Sequence, residues 1–454
     1  MIRLLPLFAG LVLAACTATA PVERRAAPEI ELPPMKTFGT PKAQRPQRSN
    51  RTIAADIMDL SFRLESGRVL PVLTRFEGPI SVRVVGPAPR SLTTDLDRLI
   101  KRMRTEAGID ISRVASNTDA SITIEVLSRR ELQRAVPQAA CFVVPRITSW
   151  DEFRRNRRGP ALDWTTLRVR EKMAIFLPGD VSPQEIRDCL HEELAQAVGP
   201  LNDLYRLSDS VFNDDNFHTV LTGFDMLVLR TLYAPELRSG MTPQEVADRL
   251  PAILARLNPG GRRAADGAMG DTPRAWIDAI ETALGPRTTP TRRRSAAREA
   301  VQIARQQGWR DTRAAFSLYA LGRLSIGTEP DLAMTAFLQS GTLYRAGRDT
   351  DLQAAHVAMQ LAAFALSAGQ AEIALEIVDR NIAPVRRAEN AALLSTLLMV
   401  KAESLEILGR RAEARTVRQE ALGWARYGFG SSTEVRLRLE EIAALSPRAR
   451  APSL

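Results

Sequence analysis

Glu192, Glu193 and Gln196 are the residues with which a search for chemistry in this chain begins. They sit within residues 182–203, SPQEIRDCLHEELAQAVGPLND, and Asn202 and Asp203 follow them closely. Adjacent carboxylates beside an amide can hold a metal ion or move a proton, because both groups present oxygen lone pairs. His191 lies off that face and reads as an ordinary partner for a backbone carbonyl. Further on, Asp209, Asn213, Asp214, Asp215 and Asn216 precede His218. Those oxygens are the kind that bind Ca²⁺, but their spacing is not that of an EF-hand loop, and a capped, hydrated turn explains the run.

The element that must position these groups is a helix. Ser182 is a capping residue, Pro183 suits the first helical position, and Glu185 completes a capping box. Gly199 and Pro200 form the stop, with the glycine expected in the left-handed conformation. Ile186, Leu190, Leu194, Ala197 and Val198 recur at helical spacing and make one apolar stripe. At about 100° per residue, Glu192, Gln196 and Gly199 fall together on the opposite face, with Glu193 at its edge.

Upstream, Ile57, Leu60, Phe62 and Leu64 predict a first helix, and Ile80, Val82 and Val84 alternate as a strand does. Leu96, Leu99, Ile100 and Met103 mark a helix over residues 92–107. Ile122, Ile124 and Val126 form a second strand, and residues 141–144 and 173–177 form two more. The last runs through a short loop into the helix after Ser182. This order predicts a sheet with one face covered by helices.

At 454 residues the chain exceeds one ordinary core, and its composition, 45% hydrophobic and 25% charged, is that of a globular protein. The net charge of +10 is carried almost wholly by arginine. Basic and aromatic residues do not interleave as they do in single-strand binders, so nucleic acid is not an expected partner. Arg3 and the apolar run that follows have the form of an export signal, too short to span a membrane. Leu13, Ala14, Ala15 and Cys16 match the lipobox of bacterial lipoproteins, in which the cysteine is lipidated. Thr17 replaces the aspartate of an inner-membrane retention signal. The expectation is therefore a lipoprotein on the periplasmic face, at the outer rather than the inner membrane, with the lipid anchor joining it to the membrane. Cys141 and Cys189 are then the remaining thiols, and in an oxidising compartment they are expected to pair.

The domain expectation is a signal peptide over 1–15, a disordered tether over 16–50, an α/β-type domain over 51–285, a linker over 286–294 and helical repeats over 295–454. Six prolines and little periodicity define the tether. Gly285, Pro286 and the three arginines 292–294 define the linker. Beyond it, Gly327, Gly369 and Gly409 recur at intervals of 42 and 40 residues, each before a helix start rich in small residues. Such a period means stacked helical hairpins, and the tract resembles degenerate tetratricopeptide repeats with a face for a partner from the cell envelope.

A mixed sheet feeding a helix that ends in glycine resembles the first half of the metzincin zinc peptidases. More closely, the stretches EELAQAVGPLND, DSVFNDDNFHTVLTGFD and LRTLYAPELRSGM resemble a proteobacterial lipoprotein family built on the domain of unknown function numbered 2927, over roughly residues 53–259. The resemblance implies an α+β zincin-like domain with a mixed sheet and a central helix, followed here by the all-α repeats. Aligned by its glycine, the metzincin helix motif places Glu192 at the first metal position, Glu193 at the general base, Gln196 at the second metal position and Asn202 or Asp203 at the third. His218 is available from the loop that follows. Every imidazole of the motif itself is missing, and amide oxygens suit Ca²⁺ or Mg²⁺ better than zinc. No resident cofactor is expected beyond a weakly held divalent ion, zinc or calcium. Two function classes result: a lipid-anchored binding or scaffold protein whose metzincin-like domain does no catalysis, and a metal-dependent peptidase or hydrolase with Glu193 as its base.

Overall fold

Strand residues that alternate between two apolar faces build the centre of the molecule. In the computed structural model, which describes residues 32–39, 44–266, 270–286 and 288–447, the first helix is α1 (Asn50–Phe62). There follow β1 (Ile80–Val85), α2 (Arg90–Glu106), β2 (Ile111–Arg113), β3 (Ile122–Leu127), α3 (Arg129–Ala135), β4 (Phe142–Pro145), α4 (Trp150–Asn156) and β5 (Met173–Pro178). The five strands form one mixed sheet in the order β2-β1-β3-β5-β4. β1, β2, β3 and β5 run parallel, with Ile122 opposite Met173, and β4 runs antiparallel at the edge beside β5.

Every residue of β5 is buried, as expected of a strand covered on both faces. Met173, Ile175 and Leu177 point into the larger core with Ile57, Leu96 and Leu194. Ala174 and Phe176 point the other way, to Leu132, Trp150 and Phe153 on α3 and α4. Helices therefore cover both faces. α3 buries one residue and α4 two, too few to print a helical period in the sequence.

Next come α5 (Pro183–Val198), α6 (Gly223–Leu232), α7 (Pro243–Leu257) and α8 (Arg274–Leu284). In α5 the Ser182 side chain accepts from the Glu185 amide at 3.1 Å, and Pro183 takes the first turn. Gly199 ends α5, but not in the left-handed conformation: its φ is −141°. A Cβ there would meet Leu229 Cδ2 at 2.7 Å, so close approach of α6 is what requires the glycine.

The rest of the described chain is all-helical: α9 (Pro290–Gln306), α10 (Thr312–Ser325), α11 (Pro330–Ala346), α12 (Asp351–Ser367), α13 (Ala371–Arg387), α14 (Ala391–Ile407), α15 (Arg411–Gly428) and α16 (Ser432–Ala443). From α8 to α15 each helix packs on the next. Gly369 and Gly409 adopt φ of 75° and 77° in the turns before α13 and α15, and Ala333, Ala336, Ala371, Ala374 and Ala414 are buried where helices meet. Arg292, Arg293 and Arg294 are helical rather than linker: Thr289 caps α9, and Arg293 Nε donates to the Ala283 carbonyl at 2.7 Å, closing the end of α8.

The expected tether also ends earlier than residue 50. Phe38 stacks on Trp424 with ring centroids 4.4 Å apart, Arg98 Nη1 donates to the Phe38 carbonyl at 2.9 Å, and the Lys36 amide donates to the Gly423 carbonyl at 3.0 Å. An aromatic anchor and backbone hydrogen bonds hold this extended segment where composition alone suggests a free chain. Cys16 and the leader lie outside the described residues. Among the described residues no helix is long and apolar enough to cross a membrane.

Candidate functional site

α5 is buried on both sides. Beyond its apolar stripe, Arg187, His191, Glu193 and Gln196 are all under a tenth exposed, and Glu192 is half-buried. Its first half is fastened to the turn between α13 and α14. Arg187 Nη2 donates to the Glu389 carbonyl at 2.9 Å, Gln184 Nε2 donates to Asn390 Oδ1 at 3.2 Å, and Gln184 Oε1 accepts from the Ala392 amide at 2.9 Å. His191 does not serve a backbone carbonyl. Its Nδ1 accepts from the Leu221 amide at 3.1 Å, so the ring is an acceptor there, and burial holds it well below its ordinary pKa.

The second half of α5 is closed by Arg170, a residue the sequence patterns did not single out. Its guanidinium donates to the carbonyls of Gln196 (2.6 Å), Ala197 (2.8 Å) and Gly199. Those are orphan acceptors at a helix end, where a cation is also favoured by the helix dipole. The Tyr233 hydroxyl satisfies Val198 O at 2.9 Å. A disulfide between Cys141 and Cys189, with Cα atoms 6.0 Å apart, ties the start of β4 to the middle of the helix.

The carboxylate oxygens of Glu192 and Glu193 lie within 4.8 Å of each other and of the Cys141 sulfur. That sulfur is in the disulfide, so it is not a thiolate ligand. Gln196 Nε2 approaches Asp203 Oδ2 at 3.4 Å, a long contact. Glu193 Oε2 and Asp203 Oδ1 are buried with no hydrogen-bond partner. Two further acids join them: Glu65, in the turn after α1, and Asp214, in the loop between α5 and α6. Burial, with the fields of Asp214, Glu65 and Asp188, pushes the Glu192 carboxyl up to about 8. Burial and the fields of Glu192 and Glu65 hold Glu193 well above the carboxylate range. Asp203 is raised by burial and by Asp214, Glu65 and Glu192, and Asp214 by burial, Glu65 and Glu281 to about 7. No motif marks Glu65, which is separated from α5 by more than a hundred residues of chain; only the fold brings it in.

The other expected metal donors do not come to this place. Asn202 Nδ2 donates to the Asp59 carbonyl at 3.0 Å, which turns its amide to α1. His218 is half-buried near His356 on α12, and desolvation lowers it to about 4. The acidic run is largely used within its own loop. Asn213 Oδ1 accepts from the Asp215 amide at 3.0 Å, Asp215 Oδ1 accepts from the Phe217 amide at 3.1 Å, and Asp209 pairs with Arg48.

Zinc demands three or four N, S or O donors about 2.0–2.3 Å from one point. With Gln196 directing its amide N–H at Asp203, Asn202 turned away and His218 on another element, these residues do not fit zinc. Nor does Glu193 fit the role of base, since its side chain is closed off inside the fold with no path for a substrate proton to reach it. No curated protein and no solved structure matches the chain. Residues 50–252 match the family model described as a protein of unknown function, DUF2927, a span from the start of α1 into α7 that contains the whole sheet, α5 and all five clustered acids.

Proposed function

We propose that the chain is a lipid-anchored binding protein of the cell envelope, in which a metzincin-like domain without catalytic activity and a helical array hold partner proteins. The observation that carries this reading is the closure of α5. Glu193 is 4% exposed, and the helix that bears it is fastened at one end by the α13–α14 turn and at the other by Arg170. A peptidase needs an open coordination position and a path for substrate to its base. The mixed sheet that leads into α5 supports the metzincin-like assignment. The stepwise packing from α8 to α15 and the left-handed turns at Gly369 and Gly409 support a tetratricopeptide-like array. The residues 13–16, LAAC, support acylation at Cys16, and Thr17 supports the outer membrane.

The test is proteolysis of a broad peptide library by the full chain, with added zinc, with added calcium and with chelator. No cleavage is expected under any of the three. A chelator-sensitive cleavage that Glu193→Gln removes would overturn this reading and make the protein a metal-dependent hydrolase.

A further inference from the structure

Five carboxylates from three segments lie close enough to raise one another's pKa: Glu65 after α1, Glu192 and Glu193 on α5, and Asp203 and Asp214 in the loop that follows. Among the groups that act on them most strongly, Glu281 and Asp188 add negative charge and Arg274 is the single cation. Like charges gathered without counter-charge cost stability, and a folded protein holds them together only with protons or a cation. Independently of the charge, Glu193 Oε2 is buried and makes no hydrogen bond among the described residues, and the side chain is 4% exposed. Buried acceptors are nearly always partnered, so this oxygen faces a group that the protein chain itself does not supply.

We propose that this acid cluster is a site for one hard divalent cation, Ca²⁺ in preference to Mg²⁺ or Zn²⁺, gripped first by Glu192 and Glu193, with Asp203, Glu65 and Asp214 moving in to close over it. The donor set is all oxygen, the choice of calcium and magnesium rather than of zinc. Two oxygens on one calcium ion, each about 2.4 Å from it, stand at most about 4.8 Å apart, and the Glu192 and Glu193 oxygens lie within 4.8 Å of each other. Magnesium requires near-octahedral geometry at about 2.1 Å, whereas these acids come from a helix, a turn and a loop with no common geometry. Glu65 is exposed at the rim and hydrogen-bonded to Asp203, a contact that an ion would replace. This site is independent of the docking assignment, since an ion held by carboxylates on a closed helix needs neither a partner protein nor a substrate.

The experiment uses the full chain in non-ionic detergent, stripped with chelator and dialysed against radioactive calcium, with thermal unfolding measured alongside. The expected result is one calcium ion per chain, half-saturated at about 10⁻⁵ to 10⁻³ M, and a higher Tm with calcium than with chelator. Glu193→Gln combined with Asp203→Asn should abolish both effects. That variant removes two acids crowded among like charges, so it should unfold in chelator at or above the wild-type temperature. If it does not fold, Glu65→Gln, which alters an exposed side chain, should weaken calcium about tenfold. Absence of bound calcium at 1 mM would overturn the proposal, as would binding that survives all of these substitutions. So would zinc bound in calcium's place, or a Tm raised by arginine amide and not by calcium.

Discussion

The Tyr427 hydroxyl donates to Asp95 Oδ2 at 2.7 Å, across 332 residues of chain. It joins α15, in the helical region, to α2, which covers the sheet. Both residues are buried, and burial raises the Asp95 carboxyl despite the hydrogen bond and the nearby Arg187 and Arg98 guanidinium groups. Arg187, on α5, lies with its guanidinium 5.5 Å from the Tyr427 ring centroid, so the contact belongs to a junction of α2, α5 and α15. Tyr427→Phe leaves the ring and removes the donor. The expected cost is about 1–3 kcal/mol, that of a buried charged acceptor losing its partner. Urea unfolding followed by far-UV and near-UV signals should give one transition for both regions. Separate transitions in the wild type would show that the junction does not couple them.

The Cys141–Cys189 bridge joins residues 48 apart in sequence. Loop-closure entropy assigns it about 4 kcal/mol, and the paired variant Cys141→Ser with Cys189→Ser should lose stability of that order. Quantitative alkylation of the unfolded, unreduced wild type should find neither thiol. Two reactive thiols there would exclude the bridge.

Arg170 matters through the carbonyls it serves. Arg170→Met keeps much of the packing but strands the acceptors of Gln196, Ala197 and Gly199 at the end of α5. The expected loss is about 3 kcal/mol or more. Hydrogen exchange should show faster opening of the last turn of α5, and a protection pattern identical to wild type would mean that water replaces the arginine without cost.

What the sequence disclosed about α5 was whatever is written within a turn or two. Ser182, Pro183 and Glu185 follow local capping chemistry, and the stripe from Ile186 to Val198 follows the helical period. The alternation in β3 was readable for the same reason. The burial of Glu193 and Gln196 was not, because polar residues read as a solvent face until the segments that cover them are known. Gly199 shows the same limit: the glycine was visible, but its cause is Leu229 on a helix thirty residues later. Glu65 and Asp214 reach the cluster only through the tertiary fold, and Arg170, one of the chain's many arginines, gave no local signal of its role.

Cys16→Ser tests the address. Acylation at Cys16 predicts that the wild type fractionates with membranes and that the variant appears in the soluble periplasmic fraction. An unchanged membrane fraction for the variant would reject the lipid anchor.

The acid cluster predicts an unusual pH profile. Glu192 is pushed up to about 8 and Asp214 to about 7, while burial takes Asp215 to about 8. A carboxyl with a raised folded-state pKa stays protonated in the folded chain after the unfolded chain has lost its proton. It therefore contributes stability that is complete below about pH 4 and is lost as pH rises to its folded value. The histidines act in the other direction. His218 is lowered to about 4 and His356 to about 3, so they cost stability as pH falls below about 6.5, where the unfolded imidazole takes a proton. The two effects oppose each other up to about pH 7.5, since His191 is lowered as well, but between pH 6.5 and 8 the histidines return only about 1 kcal/mol in total and the carboxyls set the direction. Each is worth up to about 1.4 kcal/mol per pH unit, and because they repel one another the expected fall over that window is about 1–3 kcal/mol. Urea unfolding in chelator at pH 6.5 and pH 8 measures it directly, and Glu192→Gln should flatten the fall. Stability that holds level or rises over the same window would mean that these carboxyls are already ionised in the folded protein.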